Sequence, residues 1–132
     1  MPSEQRKKIL IVDDEDITRG LLRRNVVLAG YETLLASNGQ EAIEMLGKET
    51  PDLIIVDLMM PEMNGFETCR RIREMEKTRR TPIVVVSALQ GTSDIEDARH
   101  AGADDYMMKP VDSEEFKSML KKYLPSPFKT TP

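Results

Sequence analysis

Charged groups collect where apolar runs end. Asp13, Asp14, Glu15 and Asp16 follow Ile9-Leu-Ile-Val12, Asp57 follows Leu53-Ile-Ile-Val56, Ser87 follows Ile83-Val-Val-Val86, and Lys109 with Pro110 follows Asp105-Tyr-Met-Met108. If these runs are strands of one parallel sheet, their carboxyl ends share an edge, and open α/β sheets bind ligands there. The carboxylates of Asp13, Asp14 and Asp57 would then meet a hydroxyl and an ammonium group. Carboxylates held that close repel, and unless protons neutralise them the simple remedy is a hard cation with oxygen ligands. Magnesium suits the set, because it takes one or two carboxylates and fills its other positions with phosphate oxygens and water. Lys109 is a point charge for the same anion, and Ser87 can hydrogen-bond a phosphoryl oxygen. Together these groups point to phosphoryl transfer, in which positioning and charge neutralisation supply most of the catalysis. No glycine-rich phosphate loop follows the first run, so a nucleotide or flavin is not the expected phosphate carrier. The remaining candidate acceptor is a carboxylate acting as nucleophile to give an acyl phosphate.

Each residue also has a plainer reading. Asp13 and Asp14 can cap the helix that follows, and Asp16 reads as a cap and nothing more. Lys109 alone is a solvated lysine and Ser87 a turn hydroxyl. Asp57 is the exception, because Leu58 to Pro61 start no helix that it could cap.

The runs that must position these groups lack alternation and are rich in β-branched residues, the pattern of strands buried on both faces. Two weaker strands read at Tyr31 to Ala36 and Asp105 to Met108. Between them lie amphipathic stretches. Ile17, Leu21, Leu22 and Leu28 are expected on one helical face, Ala42, Ile43 and Leu46 on the next, and Phe66, Cys69, Ile72 and Arg73 with Met75 on a third. Ser93 with Glu96 and Asp112 with Glu115 have capping-box spacing for the last two helices. Alternation of five strands and five helices with short connections predicts an α/β fold, a single-domain doubly wound parallel sheet.

Composition bounds the rest. A chain of 132 residues, 39% hydrophobic and 32% charged, holds one globular domain. A net charge of −4 argues against nucleic-acid binding as the main activity, and one cysteine and one histidine exclude a disulfide framework and thiolate- or histidine-built metal sites. No run of about 20 apolar residues occurs, so the expectation is a cytoplasmic protein with no membrane partner. Residues 1–6 read as a disordered N-terminus, 7–124 as the domain, and the Pro-, Ser- and Thr-rich 125–132 as a flexible tail or the start of a linker.

Taken together, Ile-Val-Asp13-Asp14, Val-Asp57-Leu-Met-Met-Pro61-Glu-Met-Asn-Gly65, Val-Val-Ser87-Ala88, Ala101-Gly-Ala-Asp-Asp-Tyr106 and Lys109-Pro110 resemble the receiver domain of two-component response regulators. The resemblance implies a CheY-like, flavodoxin-like strand order 2-1-3-4-5. It implies Asp57 as phosphoacceptor, taking a phosphoryl group from a phosphohistidine of a sensor histidine kinase or histidine phosphotransfer protein. Asp14, Asp57 and the main-chain carbonyl of Met59 would hold magnesium, or manganese, with Asp13 acting through water. Lys109 would pair with the carboxylate and then the phosphoryl group. Ser87 and Tyr106 stand at the family's switch positions, and the Lys109-Pro110 bond is expected to be cis. Met59 and Leu89 flank the route of the hydrolytic water and are expected to slow loss of the phosphoryl group.

The resemblance also implies that phosphorylation alters the surface of the fourth helix, fifth strand and fifth helix. His100, Met107, Val111 and Glu114 are candidates there for contact with an effector protein, an attached effector domain or a second copy of the chain. Leu21, Arg23 and Arg24 are candidates for kinase docking. The basic stretch Arg70, Arg71, Arg73, Lys77, Arg79 and Arg80 has no interleaved aromatics, so nucleic acid is not an expected partner. Two alternatives stand beside the switch. One is an aspartyl-phosphate-forming phosphatase of small molecules, disfavoured because Met59 stands where such enzymes carry a second acid. The other is a degenerate receiver scaffold, disfavoured because Asp13, Asp14, Asp57, Ser87 and Lys109 are all present.

Overall fold

The flush apolar runs form the centre of a five-stranded parallel sheet. In the computed structural model, which describes residues 5–129, the strands are β1 (Lys8–Val12), β2 (Glu32–Ala36), β3 (Leu53–Val56), β4 (Ile83–Ser87) and β5 (Asp105–Met108). Their order is β2-β1-β3-β4-β5, as expected, with β1 and β3 adjacent where the winding reverses. The helices are α1 (Asp16–Leu28), α2 (Gly39–Leu46), α3 (Gly65–Glu74), α4 (Thr92–His100) and α5 (Ser113–Tyr123). A 3-10 turn at Glu76–Thr78, which the sequence did not suggest, follows α3.

Every residue of β3 and β4 is buried, as is all of β1 beyond Lys8. Helices cover both faces, so neither face selects for polar residues. The two-residue period sends Leu10, Val12, Ile54, Val56, Ile83 and Val85 toward α2, α3 and α4, where they meet Leu46, Cys69, Ile72 and Ala98. It sends Ile9, Ile11, Ile55, Val84 and Val86 toward α1 and α5, onto Leu22, Val26, Phe116 and Leu120. At roughly 1.5–3 kcal/mol per fully buried large apolar side chain, these two layers hold the sheet edge, and the groups that follow it, in place.

Two expectations are corrected. Of the α1 residues expected on one buried face, only Leu22 is buried, with Val26 as its companion, while Ile17, Leu21 and Leu28 are 80%, 57% and 73% exposed. At about 100° per residue, Leu22 and Val26 fall on one side of α1 and the other three on roughly the opposite side. Packing against the sheet chose between two apolar stripes that the sequence merged. The Ser93–Glu96 spacing does not start α4, which begins at Thr92 after Gly91 with no side-chain cap. Asp112 does cap α5, accepting from the Glu115 N–H at 2.9 Å.

Arg73, within the basic stretch, is held by several partners. It donates to the carbonyls of Gly102, Thr78 and Thr81 and to Asp104 Oδ2 at 2.6 to 3.0 Å, clamping the end of α3 to the loops before β4 and β5. Finally, the two ends of the described residues pair with each other. Lys7 N donates to Pro127 O at 2.7 Å and Lys129 N to Gln5 O at 2.8 Å. Arg6 and Phe128 form the antiparallel bridge between them, with the guanidinium 5.0 Å from the ring centroid. Each partner lies more than a hundred residues from the other, so composition alone shows only a polar start and a Pro-rich end. Residues 1–4 and 130–132 lie outside the described residues.

Candidate functional site

Asp13 and Asp57 are brought together by the pairing of β1 with β3. Val12 stands opposite Val56 in the register, and Asp57 N donates to Val12 O at 3.0 Å. The next residue of each strand therefore leaves the sheet at the same point. Both carboxylates are buried, with Asp13 1% and Asp57 4% exposed, whereas Asp14 is exposed. Asp13, Asp14 and Asp57 each offer an oxygen within 4.8 Å of the others. Asp13 does not cap α1: its Oδ1 accepts from Glu15 N at 2.9 Å, inside the loop. Asp16, read as a cap, instead pairs with Arg19.

Lys109 crosses from the far side of the sheet edge. Its backbone N donates to Ser87 O at 2.8 Å, which ties the end of β5 to the end of β4, and the Lys109-Pro110 bond is cis. Its Nζ donates to Asp13 Oδ2 at 3.0 Å and to Asp57 Oδ2 at 3.2 Å. One ammonium group thus serves two buried carboxylates. Burial raises the Asp57 pKa, and the Asp13 charge adds to this, although Lys109 and the Met59 N–H pull the other way. Burial works to lower the Lys109 pKa, but the hydrogen bonds and charges of Asp13 and Asp57 outweigh it and hold the ammonium above its ordinary range. Two carboxylates and a third exposed one against one cation leave the cluster short of positive charge, and their oxygens are the donor type that a hard divalent cation takes. The group therefore fits a metal ion.

Ser87 is fully buried at the end of β4, and its Oγ accepts from Leu89 N at 3.3 Å. Tyr106 does not enter the carboxylate cleft. Its hydroxyl donates to Leu89 O at 2.7 Å. The two switch candidates are therefore joined through the backbone of Leu89, one of the two tuning candidates, whose side chain packs on the core. Met59, the other, is 56% exposed. With Asp14, Glu15, Asp57, Ala88 and Lys109 it lines an open cleft of about 350 Å³.

Gly65 closes the sequence motif that contains Asp57, and its residue type alone assigns it no role. A Cβ at this position would stand 2.3 Å from Asp57 O and 2.5 Å from Leu58 Cα. The first turn of α3 is thus pressed against the backbone that carries Asp57, with Gly65 N donating to Leu58 O at 3.0 Å. The available signal was Asn64-Gly65 ahead of a helical run, with Asn64 capping α3 through Glu67 N at 2.9 Å. Of the surface candidates, His100 and Glu114 are exposed, while Met107 and Val111 are half-buried and pack beside α5.

Among the described residues, no helix is long and apolar enough to cross a membrane. Residues 9–121 match the response regulator receiver domain family. The probable transcriptional regulator ycf27 of Porphyra purpurea is 38% identical over 120 residues, which are 91% of this chain and 48% of that protein. PhoP of Bacillus subtilis, an alkaline phosphatase synthesis transcriptional regulatory protein, is 38% identical over 89% of this chain and 48% of its own length. The chain thus spans about half the length of these relatives. Among solved structures, chemotaxis protein CheY4 of Vibrio cholerae superposes with a TM-score of 0.86 at 30% identity, covering 90% of this chain and 99% of its own. The receiver domain of sensor histidine kinase PA1611 from Pseudomonas aeruginosa, solved with a magnesium ion coordinated in the active site cleft, gives 0.84 at 28%, covering 91% and 98%. A match that runs from within β1 into α5 establishes that this chain belongs to the response regulator receiver family and functions as a two-component receiver.

Proposed function

We propose that Asp57 of this chain accepts a phosphoryl group from a phosphohistidine, on a sensor histidine kinase or a histidine phosphotransfer protein. The observation that carries the reading is Lys109, whose Nζ lies within hydrogen-bond reach of both Asp13 and Asp57. An Asp57 oxygen attacks phosphorus, the P–N bond breaks, and the departing imidazole keeps the electron pair and takes a proton. Lys109 stays with Asp57 as negative charge gathers on the transferred group. Ser87 Oγ accepts from Leu89 N, which leaves the hydroxyl hydrogen for a phosphoryl oxygen. Asp14, Asp57 and the Met59 carbonyl, with Asp13 through water, would hold a magnesium or manganese ion, which supplies charge neutralisation to the phosphoryl oxygens. The protein thereby takes part in its own phosphorylation and dephosphorylation, and turns over no separate substrate.

The donor docks on α1. Ile17, Leu21 and Leu28 form an apolar stripe facing solvent, flanked by the exposed Arg23 and Arg24, and an amphipathic helix from a bundle carrying the donor histidine is the complementary surface. The output is read at α4, β5 and α5, by an effector protein, an attached effector domain or a second copy, in the cytoplasm. The test is incubation with acetyl phosphate and magnesium, with intact-protein mass as readout. Wild type gains one phosphoryl group and Asp57→Asn gains none. Equal labelling of the two overturns the reading.

A further inference from the structure

Tyr106 and α5 lie on opposite faces of β5. Alternation along the strand sends Tyr106 toward α4, where it packs with Leu89 and Ala98, and sends Asp105 and Met107 toward α5. A movement of Tyr106 therefore reaches α5 only through a connection across the strand. The Asp105 carboxylate makes one. Its Oδ1 accepts from the Tyr106 backbone N–H at 2.9 Å, and its Oδ2 accepts from the Tyr123 hydroxyl at 3.0 Å and from Lys122 Nζ at 3.3 Å, both in the last turn of α5. β5 is an edge strand paired with β4, so it has one neighbour to hold it. At the cleft end, Ser87 Oγ and the Tyr106 hydroxyl both bond the backbone of Leu89.

We propose that Asp105 is a positioning residue of the switch, coupling Tyr106 to the last turn of α5 by holding the Tyr106 amide and the Tyr123 hydroxyl with one carboxylate. The surface at the end of α5 then changes when Tyr106 moves. This rests on Asp57 as the phosphoacceptor. Tyr123 is the working partner. The Lys122 side chain is 67% exposed, and an ion pair so open to water and salt contributes little, whereas the Tyr123 ring is half-buried and packs beside Leu120.

The sequence contains three tyrosines, so the full chain labelled with 3-fluorotyrosine gives three fluorine resonances, assigned by single Tyr→Phe variants. Spectra are taken before and after acetyl phosphate with magnesium, and intact mass records the label in the same sample. The readout is the change on phosphorylation, since a merely structural contact would displace both spectra alike. In wild type the Tyr106 and Tyr123 resonances both respond. In Asp105→Ala the Tyr106 response persists and the Tyr123 response is lost. Asp105→Asn, which keeps an acceptor oxygen, restores it, and Lys122→Met leaves it unchanged.

Tyr123→Phe tests the same joint without disturbing β5. Phosphorylation changes amide hydrogen exchange in the last turn of α5 by about fivefold in wild type, the effect of one hydrogen bond, and by less than half of that in the variant. If Asp57 is labelled and Tyr123 responds equally with Asp105 and with alanine, the coupling is overturned while the phosphoacceptor reading stands. If wild type takes no label at Asp57, both are overturned.

Discussion

Lys109→Met removes one charge while keeping a side chain of similar length, and it isolates what holds the two buried carboxylates together. Nζ is 3.0 Å from Asp13 and 3.2 Å from Asp57, and the three side chains are 15%, 1% and 5% exposed. Its third contact, Glu15 at 3.6 Å, is 64% exposed and adds little. Removing one partner from a buried charge pair costs about 3–5 kcal/mol. Protonating one carboxylate at pH 7 costs about 4 kcal/mol, from three units at 1.36 kcal/mol each, and this escape route caps the loss near the same value. A domain of this size is stable by roughly 5–15 kcal/mol, so the variant still folds. Urea denaturation in chelator should show a loss of about 3–4 kcal/mol. Magnesium should then stabilise the variant more than wild type, because no ammonium competes for the oxygens. A ligand present at a hundred times its dissociation constant contributes about 2.7 kcal/mol. A loss below about 1 kcal/mol in chelator, or a magnesium response equal to that of wild type, would refute the argument that Lys109 neutralises this cluster.

The remaining predictions concern other parts of the molecule. Gly65→Ala places a methyl 2.3 Å from Asp57 O. It should cost about 1–3 kcal/mol by overpacking and slow the labelling of Asp57, as measured by denaturation and intact mass. Leu22→Ala should cost about 2–5 kcal/mol, while Ile17→Ser and Leu28→Ser stay within about 0.5 kcal/mol of wild type in stability and weaken transfer from a phosphohistidine donor. Burial and the Asp105 carboxylate push Tyr123 up to about 12. Since this folded value lies above the unfolded one of about 10, its contribution to stability is complete below pH 10 and is lost as pH rises toward 12. Tyrosinate absorbance should show this late group in wild type and an earlier one in Asp105→Ala. Met59→Asn and Leu89→Glu should each shorten the lifetime of the phosphoprotein, and an unchanged lifetime would refute the role proposed for these apolar side chains.

The readable parts of the fold were those written in short-range pattern. Ile9–Val12, Leu53–Val56 and Ile83–Val86 announced buried parallel strands because both faces demand apolar, β-branched side chains, and Asp112 announced α5 because its cap lies three residues away. α1 was misread because it carries two apolar stripes, and nothing within thirteen residues says which will meet the sheet. Arg73 looked like one cation among six, yet its partners lie up to 31 residues away and include three carbonyls, which no side-chain pattern displays. The pairing of Lys7 with Pro127 was hidden for the same reason.

From the sequence alone, the chemistry of the site could be named: carboxylates, a hydroxyl and an ammonium group that follow strand ends must share an edge once those strands are parallel. That inference needs only residue types and the direction of each strand. What the tertiary structure decided is how the charges are divided. It buried Asp13 and Asp57 and left Asp14 exposed, spread one lysine over two carboxylates, and pressed Gly65 against the Asp57 backbone. It also put the Asp105 carboxylate between Tyr106 and α5. These outcomes depend on strand register and on which helix faces meet the sheet. Both are set by contacts between residues far apart in the chain, and local sequence does not encode them.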